Sequence, residues 1–146
     1  MRVQELGHVV LIVRDLERSV HFYRDILGFP EVGRLASGPH AFSAGRTHHE
    51  LLLFPGGDKL PEGGNRVLRH IALKIGTDDD QLREAKRELD AAAVAIERIT
   101  KSVHTHSIYV RDPDGNQVEL YIDPQPEVWR ADPLAALDGG QVPLEL

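Results

Sequence analysis

A chain of 146 residues, with 41% hydrophobic and 27% charged residues, is long and apolar enough to bury one core without disulfide or metal staples, which excludes extended disorder as its main state. Seventeen Lys and Arg against 23 Asp and Glu leave a net charge of −6, a sign that repels phosphate backbones and anionic lipid, so nucleic acid is not expected as a partner. With no cysteine, thiolate zinc, iron–sulfur clusters and a cysteine nucleophile are excluded, and any metal must sit on nitrogen and oxygen donors.

The first apolar run, residues 9–13, is too short for a membrane span or a signal core, so a soluble cytoplasmic protein is expected. Residues 8–13 are short and β-branched and read as a strand, and Asp15 is placed to cap the helix that follows. Leu16, Val20, Tyr23 and Leu27 recur at helical spacing, and Gly28 supplies the stop. Residues 29–35, 41–44 and 50–54, punctuated by Gly and Pro, read as three further strands. The pattern then restarts. A strand at 70–75 precedes a helix carrying Leu82, Ala85 and Leu89 on one face, followed by strands at 94–99, 107–111 and 117–122. The last two strands are joined by Asp112-Pro113-Asp114-Gly115-Asn116, strong turn chemistry.

The fold class is therefore α+β, two βαβββ modules at about 4–56 and 66–123 within one domain, 1–123. The Gly-rich join at 55–65 lacks the Lys-Ser/Thr of a phosphate loop and is read as a linker. The tail, 124–146, contains prolines and a lone Trp129 with no helical period, and is expected to pack over an edge or a partner subunit.

Period 2 sorts the strand residues into faces. His8, Val10 and Ile12 oppose Val9, Leu11 and Val13, and His70, Ala72 and Lys74 oppose Ile71, Leu73 and Ile75, so each module's first strand begins its less aliphatic face with histidine. In the last strand Val118, Leu120 and Ile122 leave Glu119 and Tyr121 opposite. Two imidazoles and a carboxylate at His8, His70 and Glu119, with positions left for water and substrate, suit a catalytic Fe(II) and are also accepted by other divalent metals. A metal would offset the cost of burying Glu119.

The stretches His8 to Ser19, Phe22 to Asp25, Leu27-Gly28-Phe29, His70 to Leu73 and Tyr109 to Leu120 resemble the vicinal oxygen chelate superfamily, which includes glyoxalase I, extradiol catechol dioxygenases and bleomycin resistance proteins. The resemblance covers about residues 4–123. It implies paired modules whose sheets curl around a metal bound by His8, His70 and Glu119, a small-molecule aromatic or carbonyl substrate, and a homodimer. Resemblance to the extradiol dioxygenases goes further: Tyr109 stands ten residues before Glu119, His49 lies on the strand before His70, and His104 or His106 precedes the last hairpin. It implies an Fe(II)-dependent dioxygenase of catechol-type substrates in which His49 handles a proton and Tyr109 with His104 orients the ring oxygens.

Two alternatives accompany this reading. Glu50-Leu51 lines up with Glu119-Leu120, so Glu50 is a candidate fourth ligand in a glyoxalase I-like isomerase using Ni(II) or Zn(II), with Mn(II) a further choice of metal. His49 and Glu50, as strand neighbours, would face opposite sides; the choice of His49 rests on the dioxygenase resemblance, with Glu50 satisfied by Arg46 or Lys59. The third reading is a metal-free drug-binding protein, disfavoured by the complete ligand trio and the 5% aromatic content.

Overall fold

Strand β1 (Val9–Val13) feeds helix α1 (Leu16–Val20), whose N-terminus is capped by the Asp15 side chain accepting from the Arg18 amide at 3.0 Å. The computed structural model describes residues 6–46, 48–57, 68–102, 105–131 and 140–146, the side chains of Trp129 and Arg130 excepted. The helix does not run on as regular α structure to Leu27. From His21 to Ile26 it widens into a π-helical turn, closed by the Leu27 amide donating to the Phe22 carbonyl, and Gly28 leaves it at φ +66°. The inserted residue lets Phe22 and Tyr23, adjacent in sequence, both reach the core in edge-to-face contact, which a 3.6-residue period does not foresee.

Strands β2 (Glu31–Arg34), β3 (His40–Phe42) and β4 (Leu51–Pro55) complete the first sheet in the order β1-β4-β3-β2, with β1 and β4 parallel and the other pairs antiparallel. The second module repeats this order. Strand β5 (Ile71–Gly76), helix α2 (Asp79–Ala91) and strands β6 (Ile96–Lys101), β7 (His106–Arg111) and β8 (Gln117–Ile122) give the sheet β5-β8-β7-β6, with β5 parallel to β8. The two βαβββ modules read from the sequence are thus present, as two mixed sheets with helices. The chain divides into two units, Met1–Gly64 and Asn65–Leu146. Most of the Gly-rich join lies outside the described residues.

Burial alternates along β1, whereas the central strands β7 and β8 are buried on both faces. In β1, Leu11 and Val13 are buried while Val10 and Ile12 are exposed. In the second unit Ile108, Val110, Val118 and Ile122 join Leu82 and Leu89 of α2 in the core. The Asp112–Asn116 turn is held by Asp112 Oδ1, which accepts from the Asp114 and Asn116 amides.

The tail departs from expectation in one respect. Residues Pro126–Ala131 form a short helix, α3, and Val142–Pro143 form β9, which pairs with the free edge of β6. Six residues are fewer than two turns, too few for a period to register; Pro126 at the first helical position is the local signal. Among the described residues no helix is long and apolar enough to cross a membrane.

Candidate active site

The register of the second sheet lays out one polar face. Ala72 pairs with Glu119, Glu119 with Tyr109, and Tyr109 with Arg98; one step along, Tyr121 pairs with Ser107 and Ser107 with Thr100. Directly paired residues share a face, so Glu119, Tyr121, Tyr109, Ser107, Arg98 and Thr100 all point away from α2. Glu119 is 7% exposed, and a carboxylate that deep needs partners. Its Oε1 accepts from the Ser107 hydroxyl at 2.7 Å and the Tyr109 hydroxyl at 2.8 Å. Its Oε2 stands 3.2 Å from His70 Nε2.

Tyr109 is itself held. Gln141 Nε2 donates to its oxygen at 2.9 Å, and because an amide nitrogen has no acceptor capacity the Tyr109 proton is directed at Glu119. Gln141 precedes β9, so pairing of the tail with β6 brings a donor into this network. Tyr121, on the same face, has its phenol pushed above the usual range, first by burial and then by the charges of Asp123 and Glu119.

The donor set of His70 and Glu119 fits a divalent cation. Two donors about 2.1 Å from one ion and at right angles to each other stand about 3.0 Å apart, close to the separation of Nε2 and Oε2. His70 Nδ1 is buried with no hydrogen-bond partner among the described residues, so nothing there fixes the tautomer: a proton on Nε2 points toward Glu119 Oε2, and a proton on Nδ1 leaves two lone pairs facing each other between Nε2 and Oε2. A positive charge between them removes that repulsion. Among the described residues of either unit, no three His, Asp or Glu side chains converge on one point.

In the first unit His8 lies just before β1 and His49 just before β4, with ring centroids 4.3 Å apart. The His48 ring sits 4.4 Å from that of His49. Partial burial first, and then the neighbouring imidazoles of His8 and His48, push His49 below the ordinary imidazole range, which favours its neutral, proton-accepting form. Glu50 turns elsewhere: its carboxylate accepts from the Ala44 amide and lies 3.3 Å from Arg46 Nε. Because β4 begins at Leu51, neither His49 nor Glu50 is in regular strand, and strict alternation does not govern them.

The register also corrects the alignment of Glu50 with Glu119. Glu119 pairs with Ala72, two residues after His70; two residues after His8 is Val10, and its partner on β4 is Leu52. The first-module counterpart of Glu119 is therefore an aliphatic side chain, and a sequence alignment without strand pairing was two residues out.

The remaining candidates separate. His106 turns to the helix side, with Nδ1 2.6 Å from Asp79 Oδ1 at the start of α2, on the face opposite Glu119. His104 lies outside the described residues. Ser107, Gln141 and Arg98 went unread in the sequence. Ser107 had a usable signal, standing two residues before Tyr109 and hence on its face; Gln141 had none, since its approach depends on β9.

A family model described as the Glyoxalase/Bleomycin resistance protein/Dioxygenase superfamily matches residues 5–120. The chain belongs to this superfamily. It is 30% identical over 130 residues to the catechol-2,3-dioxygenase of Bacillus subtilis, covering 87% of this chain and 44% of that protein. It is 32% identical over 134 residues to an iron-dependent extradiol dioxygenase of Rhodococcus jostii, covering 80% and 42%. The chain thus spans less than half the length of these curated relatives. Among solved structures, an integron cassette protein from the mobile metagenome of V. cholerae matches with a TM-score of 0.62 at 29% identity, covering 84% of this chain and 97% of that one. Superfamily membership agrees with the family and fold inferred from the strand motifs, and the fold of two mixed sheets with helices matches that of the integron cassette protein.

Proposed function

We propose that this superfamily member is an Fe(II)-dependent extradiol dioxygenase of catechol-type substrates, with the metal held by His8, His70 and Glu119. The observation that carries the reading is the buried Glu119 carboxylate, one oxygen fixed by Ser107 and Tyr109 and the other facing His70 Nε2, in a chain similar to two dioxygenases of that class. Three donors leave room for substrate and dioxygen, the arrangement that suits Fe(II) oxygenases. A bound Fe(II) supplies the one-electron chemistry through which an aromatic ring reacts with dioxygen.

The side chains do the rest. Neutral His49, beside His8, takes a proton from a catechol hydroxyl and returns one as the ring opens. Tyr109 and Ser107 hold Glu119 in the orientation that ligation needs. His104 is proposed to help orient the ring oxygens. In the overall change the carbon–carbon bond beside the diol breaks and both oxygen atoms enter the product, so dioxygen is the oxidant and the ring is oxidised. Leu52 at the counterpart of Glu119 argues against the four-ligand isomerase pattern.

Anaerobic reconstitution with Fe(II), followed by a panel of catechols under oxygen, is expected to give yellow ring-cleavage products with one dioxygen consumed per ring. His49→Ala should lower kcat by about 10²–10⁴ while leaving the metal bound. Turnover of a methylglyoxal hemithioacetal with Ni(II), without dioxygen uptake on any catechol, would overturn the proposal in favour of the isomerase.

A further inference from the structure

We infer that Arg98 and Thr100 of β6 form a subsite for an anionic group on the substrate, the carboxylate of an aromatic acid. Arg98 pairs with Tyr109 and Thr100 with Ser107, so both lie on the face that carries Glu119. The Arg98 guanidinium stacks on the Tyr109 ring, Cζ 3.6 Å from its centroid. Its one hydrogen bond among the described residues is a 3.4 Å contact from Nη2 to Gln117 Oε1. Arg24, Arg46 and Arg111 each stand against a carboxylate, whereas half-buried Arg98 forms no ion pair among the described residues; the nearby Glu97 carboxyl, which the Arg98 charge helps hold below the usual range, is bonded to Arg111 and Gln117 instead. A guanidinium cannot deprotonate to relieve this, and its fork of N–H donors matches a carboxylate.

The second observation is independent. Thr100, 9% exposed, has a buried Oγ1 with no partner among the described residues. A buried hydroxyl without a hydrogen bond carries a desolvation cost that a bound acceptor removes. Thus a permanent cation and a hydroxyl donor, two residues apart on one strand and both under-engaged, share a face with the carboxylate proposed to hold the metal. The Arg98 side chain reaches across β7, its guanidinium over the Tyr109 ring and its Nη2 3.4 Å from Gln117 Oε1 of β8, two residues before Glu119, so a ring held at Glu119 needs only a short acidic side chain to meet it. The reading rests on the proposed dioxygenase for the nature of the ring; the anion site is measurable by binding alone.

The test uses the Fe(II)-loaded chain without oxygen, titrated calorimetrically with 3,4-dihydroxybenzoate, with 4-methylcatechol as its uncharged counterpart, and with benzoate, which lacks the diol. The acid is expected to bind at least tenfold more tightly than 4-methylcatechol, with benzoate binding measurably. Arg98→Gln should bring the two catechols within about twofold by weakening the acid, Arg98→Lys should keep part of the preference, and Thr100→Val should reduce it. Equal affinity of the two catechols for the unmodified chain overturns the inference without reliance on any variant. A preference that survives Arg98→Gln overturns it as well. If the acid is preferred through Arg98 but oxygen brings no ring cleavage, the subsite stands and the dioxygenase reading falls; cleavage of both catechols at equal kcat/KM, unmoved by Arg98→Gln, does the reverse.

Discussion

Glu119 illustrates how a buried carboxylate on a largely apolar strand is made usable. Two hydroxyls converge on Oε1 and leave Oε2 toward His70, so the carboxylate has one orientation available. Removing one donor should loosen that orientation without unfolding the sheet, because the Tyr109 ring still packs against Arg98 and the His70 ring. Tyr109→Phe and Ser107→Ala are each expected to weaken divalent-metal affinity by about 10–100-fold, as for other groups that orient a ligand. Competition against a chelating dye would measure this, with circular dichroism confirming the fold. Unchanged affinity in both variants would show that Glu119 is not a ligand. The carboxylate itself was legible in the sequence because Val118, Leu120 and Ile122 make the opposite face of its strand aliphatic. Its partners were less so: spacing puts Ser107 on the face of Tyr109, but that this face meets Glu119 depends on the pairing of β7 with β8.

At the scale of elements, α2 ends in a Schellman motif, with the Val94 amide donating to the Leu89 carbonyl and the Ala93 amide to Asp90. Ala93 occupies the left-handed position of that motif at φ +55°, where glycine is the usual residue. The strain on an L side chain there is about 1–2 kcal/mol, against about 0.5–1 kcal/mol for the extra unfolded-state freedom of glycine. The first wins, and Ala93→Gly should stabilise the chain by about 0.5–1 kcal/mol in urea titration; destabilisation would show that the strain is relieved elsewhere. Helices α1 and α2 and the core strands were legible because periods of 3.6 and 2 are properties of the chain alone. Strand register was not. Whether Glu50 or Leu52 answers to Glu119 depends on where the chain enters β4, and that is set by hydrogen bonds between strands. The π-helical turn and the pairing of β9 escaped for related reasons, one being a local change of period and the other a two-residue contact between positions 100–101 and 142–143.

For the molecule as a whole, the metal proposal makes a thermodynamic claim. An ion that binds the folded chain and not the unfolded one stabilises by RT ln(1 + [M]/Kd), about 2.7 kcal/mol at one hundred times Kd. For a chain of this length that corresponds to a rise in Tm of about 5–10 °C. Mn(II), which does not oxidise in air as Fe(II) does, is the convenient probe for the chelator-stripped protein. His8→Ala, His70→Ala and Glu119→Gln should each abolish the rise, whatever they do to the starting Tm, because two remaining donors do not hold a labile divalent ion at micromolar concentration. His21→Ala should keep it, since among the described residues that exposed imidazole is engaged only with Asp25 on its own helix. The pattern discriminates between proposals. Loss in all three variants means one ion drawing on all three side chains, whereas a full rise in His8→Ala with loss in the other two would leave a metal on His70 and Glu119 alone and remove His8, and His49 beside it, from the reaction.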